Sequence, residues 1–286
     1  MVPAPVRLLN DGNELPSIGL GTFGLRGTAG VQSIASAVQV GYRLVDTALR
    51  YQNEADVGAG IRESGIAREL LTVTTKLRGR DHGYEQTLRG FERSRANLGL
   101  DHVDLYLIHW PLPRVDKYVD SWRAMIRLRE EGLVRSIGVS NFTPTHLARL
   151  IDETGVTPAV NQIELHPSLP QAALREFHAA HGIVTSGWSP LGRTRARGPG
   201  GMLRAQGRSI IQEIAATRDV TPTQVVLRWH VQQGSVPIPK SGNPLRQRTN
   251  LDVFGFLLNN AEIKAIAGLE TGRRLWWSDP DRHHEY

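Results

Sequence analysis

Four residues of different chemistry stand at or just beyond the ends of short apolar runs. Asp46 closes "LVD", Lys76 closes "TVTTK", His109 closes "LYLIH", and Tyr51 lies five residues after Asp46 in "DTALRYQNE". Taken singly, each has an ordinary structural reading: the aspartate caps a turn, the tyrosine packs, the histidine satisfies a core hydrogen bond. Taken together they form a set that can handle protons. A lysine in an apolar run is costly to bury without a counter-ion, and Asp46 on a neighbouring run is the natural partner. A phenol, with an ordinary pKa of about 10, is a weak acid at neutral pH. An ammonium beside such a phenol would stabilise its phenolate.

For these four to meet, the runs that carry them must lie side by side with their C-terminal ends on one face. Strand candidates are Ser17–Gly21, Leu44–Asp46, Leu71–Lys76, Val103–His109, Val134–Val139, Ala159–Ile163, Ile183–Gly187 and Val236–Ile238. Many are rich in valine and isoleucine, as buried parallel strands require. Between them lie segments of helical period such as "YEQTLRGFERSRANLG" and "PTHLARLIDETG", ending at glycine where a helix C-cap is wanted. Eight strand–helix units in 286 residues predict an α/β fold, a single (β/α)8 TIM barrel domain over residues 1–286. Its chemistry would sit at the C-terminal strand ends. The leading "VRLLNDGNELPSIG" has Asp-Gly between apolar runs, which predicts an N-terminal β-hairpin cap. From about residue 270 the chain is polar and irregular apart from Trp276 and Trp277.

"GLGTFG", residues 19 to 24, offers a different architecture, because it matches G-x-G-x-x-G and Asp46 follows at about the spacing of a dinucleotide-binding unit. That fingerprint needs a helix opening at the third glycine, so that pyrophosphate meets its N-terminal amides. Here "LRGTAG" follows Gly24, and the preceding strand begins just after Pro16. The match reads as a decoy at the first strand–loop junction of a barrel.

The formal charge of +6 comes almost wholly from arginines scattered among acids, as in "RLREEGLVR", so no nucleic-acid surface is expected. No apolar run is long enough to cross a bilayer, and the N-terminus lacks an export pattern, so a cytoplasmic, non-membrane protein is expected. The absence of cysteine excludes disulfides and thiolate chemistry. His178, His181 and the terminal "HHEY" converge with no acid set; they read as solvated histidines and no metal is expected.

The motifs "GYRLVDTALRYQNE", "VTTKL", "DLYLIHWP", "GVSNF", "NQIELHP", "WSPLG" and "IPKSGNPLRQRTN", in this order from about residue 6 to 275, resemble the aldo-keto reductase superfamily, in particular its bacterial 2,5-diketo-gluconate reductase-like branch. The resemblance implies a TIM barrel that reduces aldehydes or ketones with NADPH, and a catalytic tetrad of Asp46, Tyr51, Lys76 and His109, in which a Lys76 ammonium held by Asp46 would lower the Tyr51 pKa and His109 would orient the carbonyl and help proton delivery. It implies carboxamide contacts from Ser140, Asn141 and Gln162, and Trp188 stacked on the nicotinamide. Gly21, Thr22 and Phe23 would edge the nicotinamide and substrate pocket, with Asp46 beneath. Ser189, Pro190, Leu191 and Gly192 would face the pyrophosphate. Ile238, Lys240, Ser241, Gly242, Arg246, Thr249 and Asn250 would surround the adenosine end, where the two cations favour a 2′-phosphate and hence NADP. Substrate contacts would come from Phe23, Tyr51, Arg78, His109 and Trp110.

The chain departs from the family's pattern at "FGF", where Gly255 replaces a common aspartate, and in a short segment between His109 and Trp122 that predicts an open pocket for small dicarbonyls, keto acids or keto sugars. A monomer is the expected state. Two other readings use the same residues: a Schiff-base aldolase with Lys76 as nucleophile, and an NADPH-binding regulatory protein without turnover.

Overall fold

A computed structural model describes residues 4–192, 205–275 and 278–285; Trp276 and Trp277 lie outside these. Strands β1 (Val6–Leu8) and β2 (Glu14–Pro16) form an antiparallel hairpin with Leu8 opposite Glu14. Its turn closes at Gly12, which adopts φ +87°, a value that favours glycine.

Eight parallel strands follow in chain order: β3 (Leu20–Gly21), β4 (Leu44–Asp46), β5 (Thr72–Leu77), β6 (Val103–Ile108), β7 (Val134–Ser140), β8 (Val160–Glu164), β9 (Val184–Trp188) and β10 (Val236–Pro237). The sheet closes on itself, because the Gly19 and Gly21 N–H groups donate to the carbonyls of Pro237 and Pro239, both at 3.0 Å. The expected first strand, Ser17–Gly21, is laddered only at its end. The Ser17 N–H turns back to the Pro5 carbonyl in the hairpin.

The helices are α1 (Gly27–Gln39), α2 (Glu54–Glu63), α3 (Tyr84–Leu98), α4 (Tyr118–Glu130), α5 (Pro144–Thr154), α6 (Ala172–Ala180), α7 (Ala205–Thr217), α8 (Pro222–Gln232), α9 (Pro244–Leu251) and α10 (Asn260–Ala267). Local chemistry sets their ends. Thr143-Pro144 and Thr221-Pro222 open α5 and α8 with capping boxes, and Gly99 and Gly155 close α3 and α5 in the left-handed region.

Alternation along the strands makes two cores. Leu44, Leu105, Leu107, Val160, Val236 and Ile238 cluster with Leu9 and Leu15 beside the hairpin, which plugs the N-terminal end of the barrel. Val45, Val73, Tyr106, Ile137 and Val139 pack outward against Ile34, Phe91, Trp122 and Leu147 of the helices. Each fully buried aliphatic or aromatic side chain contributes about 1.5–3 kcal/mol.

The glycines of "GLGTFG" belong to this packing. A Cβ on Gly19 would stand 2.7 Å from Ile238 Cδ1 and 2.8 Å from Leu44 Cδ2, and one on Gly21 would stand 3.3 Å from the Ile238 carbonyl. Gly24 turns the chain at φ +73°, and α1 begins only at Gly27. The dinucleotide-turn reading therefore fails for lack of a helix at the third glycine. Among the described residues no helix is long and apolar enough to cross a membrane.

Candidate active site

The inward rows of the barrel end in polar side chains at its C-terminal mouth. Leu105 and Leu107 lead to His109, Leu44 to Asp46, Val160 to Gln162, and Ser186 to Trp188, each two residues further on. Asp46 stands opposite Thr74, so Lys76 lies one inward position beyond it and reaches back across the gap. Tyr51 is carried by a single 3-10 turn, Leu49–Tyr51, which ends at Gln52 with φ +55°.

Lys76 is wholly buried, and its Nζ donates to Asp46 Oδ1 at 2.6 Å and to the Thr47 carbonyl at 2.8 Å. Burial lowers the ammonium's pKa, and the Asp46 charge opposes that shift. The second Asp46 oxygen accepts from Gln162 Nε2 at 2.8 Å. Since β4 and β8 are four strands apart in a closed set of eight, this bond spans the barrel.

Tyr51 lies under the Lys76 ammonium, 5.3 Å from Nζ to ring centre, with the His109 ring at 5.9 Å and Phe23 at 5.1 Å. Its phenol departs from the sequence expectation. Burial first, then the charges of Asp46 and Glu285, push its pKa well above the ordinary value.

A cavity of about 610 Å³ joins Tyr51, His109 and Trp110 to Asn141, Gln162 and Trp188, then runs past Ser189, Pro190, Leu191 and Gly192 to Ile238, Pro239 and Lys240, with Gly21, Thr22, Phe23 and Asp46 also on its wall. Most residues anticipated from the sequence are brought together here. Asn141 is tightly held: its Nδ2 donates to the His109 carbonyl at 3.0 Å, and its Oδ1 accepts from Trp188 Nε1 at 2.8 Å. Asn141 and Ser189 adopt φ +64° and +49°, strained values that concentrate at functional loops.

Other anticipated residues are placed differently. Ser140 Oγ is committed to the Gln162 carbonyl at 2.7 Å and does not line the cavity. Ser241 is buried in the turn before α9, Thr249 Oγ1 bonds back to the Leu245 carbonyl, and Asn250 is buried, whereas Gly242 and Arg246 are exposed beyond Lys240. Arg78 is tied to Asp81 at 2.5 Å and faces a small separate cavity with Arg50 and Gln52, not the main one. Lys76 is also absent from the cavity wall and its ammonium is held by Asp46, which opposes a Schiff base at Lys76.

The tail supplies what sequence reasoning missed. Leu275 and Ser278 line the cavity, and Glu285 Oε1 lies 2.6 Å from His109 Nδ1. His283 stacks on Trp110 at 3.8 Å and His284 contacts Arg114 at 3.1 Å, so the terminal histidines are engaged, not simply solvated. His178 is likewise a core residue, wedged between Asn161 at 2.9 Å and Thr185 at 2.8 Å, because the inward turn of α6 seats it on β8 and β9. No local pattern marks Glu285; its role depends on where the tail lands.

Residues 17–271 match the model of the aldo/keto reductase family. The chain is 55% identical over 281 residues to the 2,5-diketo-D-gluconic acid reductase B of Corynebacterium sp., covering 98% of each. It is 46% identical to the methylglyoxal reductase DkgA of Salmonella typhimurium, again covering 98% of each. Among solved structures it superposes on an aldo-keto reductase of Bombyx mori in complex with NADP with a TM-score of 0.90, at 36% identity and with 96% of this chain and 95% of that one covered. With the barrel, the strand-end constellation and these relatives in agreement, the chain belongs to the aldo/keto reductase family.

Proposed function

We propose that this protein reduces aldehydes and ketones, among them small dicarbonyls, keto acids or keto sugars, with NADPH, and that Tyr51 is the general acid. The observation that carries this reading is the meeting of Asp46, Tyr51 and His109 at one end of one cavity, with Lys76 buried behind them against Asp46 and the Tyr51 ring. The substrate range draws on the relatives, one a diketogluconic acid reductase and one a methylglyoxal reductase.

The residues present fit the cofactor. The cavity offers an indole face at Trp188, the carbonyl end of a Gln162 amide whose nitrogen is committed to Asp46, a turn of backbone at Ser189–Gly192, and exposed Lys240 and Arg246 beyond it. Those two cations suit the dianionic 2′-phosphate and so favour NADPH over NADH. When bound, NADPH supplies a hydride to the carbonyl carbon.

The chain's own groups do the rest. Tyr51, kept as the neutral phenol by burial, holds the proton that the developing alkoxide takes. Lys76 and Asp46 hold a fixed ammonium against the tyrosine ring, and that charge stabilises the phenolate left behind. His109 orients the carbonyl oxygen toward Tyr51. One barrel domain carries both ends of the site.

Tyr51→Phe tests this. Carbonyl reduction, followed by loss of the reduced nicotinamide's absorbance, should fall by roughly 10²–10⁴, the usual worth of a positioned acid. NADPH affinity, read from its bound fluorescence, should stay within about twofold. A variant that reduces a good aldehyde at the unmodified rate removes Tyr51 from the chemistry.

A further inference from the structure

Glu285 belongs to the polar tail, yet it is only 5% exposed. A carboxylate is costly to bury without partners, and here one oxygen is hydrogen-bonded and the other ion-paired. Oε2 accepts the Gly79 N–H at 2.7 Å, and Oε1 lies 2.6 Å from His109 Nδ1. Gly79 makes the approach possible, because a Cβ there would run into the Glu285 carbonyl and stand 2.6 Å from Leu112 Cδ1. Two further contacts pin the tail beside it: His283 stacks on Trp110, and Asp281 reaches His146 Nε2 at 3.3 Å.

The hydrogen positions follow from donor and acceptor capacity. An ionised carboxylate can only accept. Burial pushes the Glu285 carboxyl up, but the His109 charge and hydrogen bond and the Gly79 N–H together hold it below the ordinary value. A 2.6 Å approach to Nδ1 therefore places a proton on Nδ1, and Nε2 is the ring nitrogen left for the cavity.

We propose that Glu285 is a positioning residue for carbonyl reduction: the tail brings the carboxylate that fixes the His109 ring and tautomer, so that Nε2 meets the substrate oxygen. The inference rests on the placing of His109 at the reacting carbonyl made above. It gives the tail a part in the chemistry through His109, besides roofing the cavity with Leu275 and Ser278.

Glu285→Gln is the decisive variant because it keeps shape and size while leaving one acceptor oxygen. Its oxygen and NH₂ take the places of the two carboxylate oxygens, so one of the Gly79 N–H and His109 Nδ1 then faces a donor. The expected result is a fall in kcat of about tenfold to a hundredfold, the range seen when an orienting partner is lost, with the KM for NADPH within about twofold. A merely structural role would slow reduction equally with and without His109. In a His109→Ala background the same change should slow reduction by less than about twofold, since a positioning residue has nothing left to position. Unmodified kcat in E285Q, beside a slow H109A, overturns this proposal alone. An equal slowing by E285Q with and without His109 also overturns it. H109A at the unmodified rate would overturn the placing of His109 and this proposal with it.

Discussion

The Lys76–Asp46 pair can be broken without changing the volume of the barrel, and the cost follows from its burial. Asp46→Asn leaves the Lys76 ammonium fully enclosed without its counter-charge, beside the Thr47 carbonyl at 2.8 Å and with the charge-assisted bond at 2.6 Å gone. It also presents an NH₂ either to Lys76 Nζ or to the Gln162 amide, so one of two donors on the native carboxylate is lost. Removing one partner of a buried pair costs about 3–5 kcal/mol. For a chain of this size that is a fall in thermal midpoint of roughly 5 to 10 °C. Since the Asp46 charge opposes the lowering of the Lys76 pKa by burial, the variant's lysine should also release its proton more readily. Equilibrium unfolding in urea at neutral pH measures the stability, and steady-state reduction of an aldehyde measures the consequence at Tyr51. A second substitution, Lys76→Met, should return most of the lost stability to Asp46→Asn, because it removes the uncompensated charge, while activity stays lost. Unchanged stability in Asp46→Asn, or a double variant no more stable than the single one, would refute the view that the pair is a buried, mutually dependent ion pair.

Acid should destabilise the fold from below about pH 6.5. Burial lowers the imidazole pKa of His178 and His230 to about 3 and of His82 to about 4. Folded values below the unfolded value mean that stability is complete above pH 6.5 and is lost as pH falls toward those folded values, at about 1.4 kcal/mol per unit for each. Unfolding free energies from urea titrations at pH 7 and pH 5 should differ by several kcal/mol, and His178→Gln should shrink the difference; a flat profile would contradict the burial. Lys240→Ala with Arg246→Ala should weaken NADPH binding at least tenfold while barely changing NADH binding, read by fluorescence titration. Equal losses for both cofactors would move the 2′-phosphate site elsewhere.

Much of this protein is written in local pattern. The short apolar runs ending at Asp46, Lys76 and His109 announce parallel strands with polar tips. Their number predicts closure, Asp11-Gly12 predicts the hairpin, and the cost of burying Lys76 names Asp46 as its partner. The same local logic disposes of "GLGTFG", since no helix opens at Gly24. Helix α9 escaped the reading because eight mostly polar residues carry no apolar stripe; Pro244 and the Asn243 cap hold it instead.

What depended on the tertiary structure has one cause, the closing of the sheet and the return of the tail. Closure puts Gln162 across the barrel on Asp46 and makes Gly19 a packing residue against Ile238 and Leu44. Burial inside that space decides the direction of the Tyr51 shift, against the expectation from the lysine alone. The tail then lays Glu285, 176 positions from His109 in sequence, against its ring nitrogen. Periodicity reports which side of an element a residue faces; contacts between elements so distant in the chain are set by three-dimensional closure, and no spacing in the sequence encodes them.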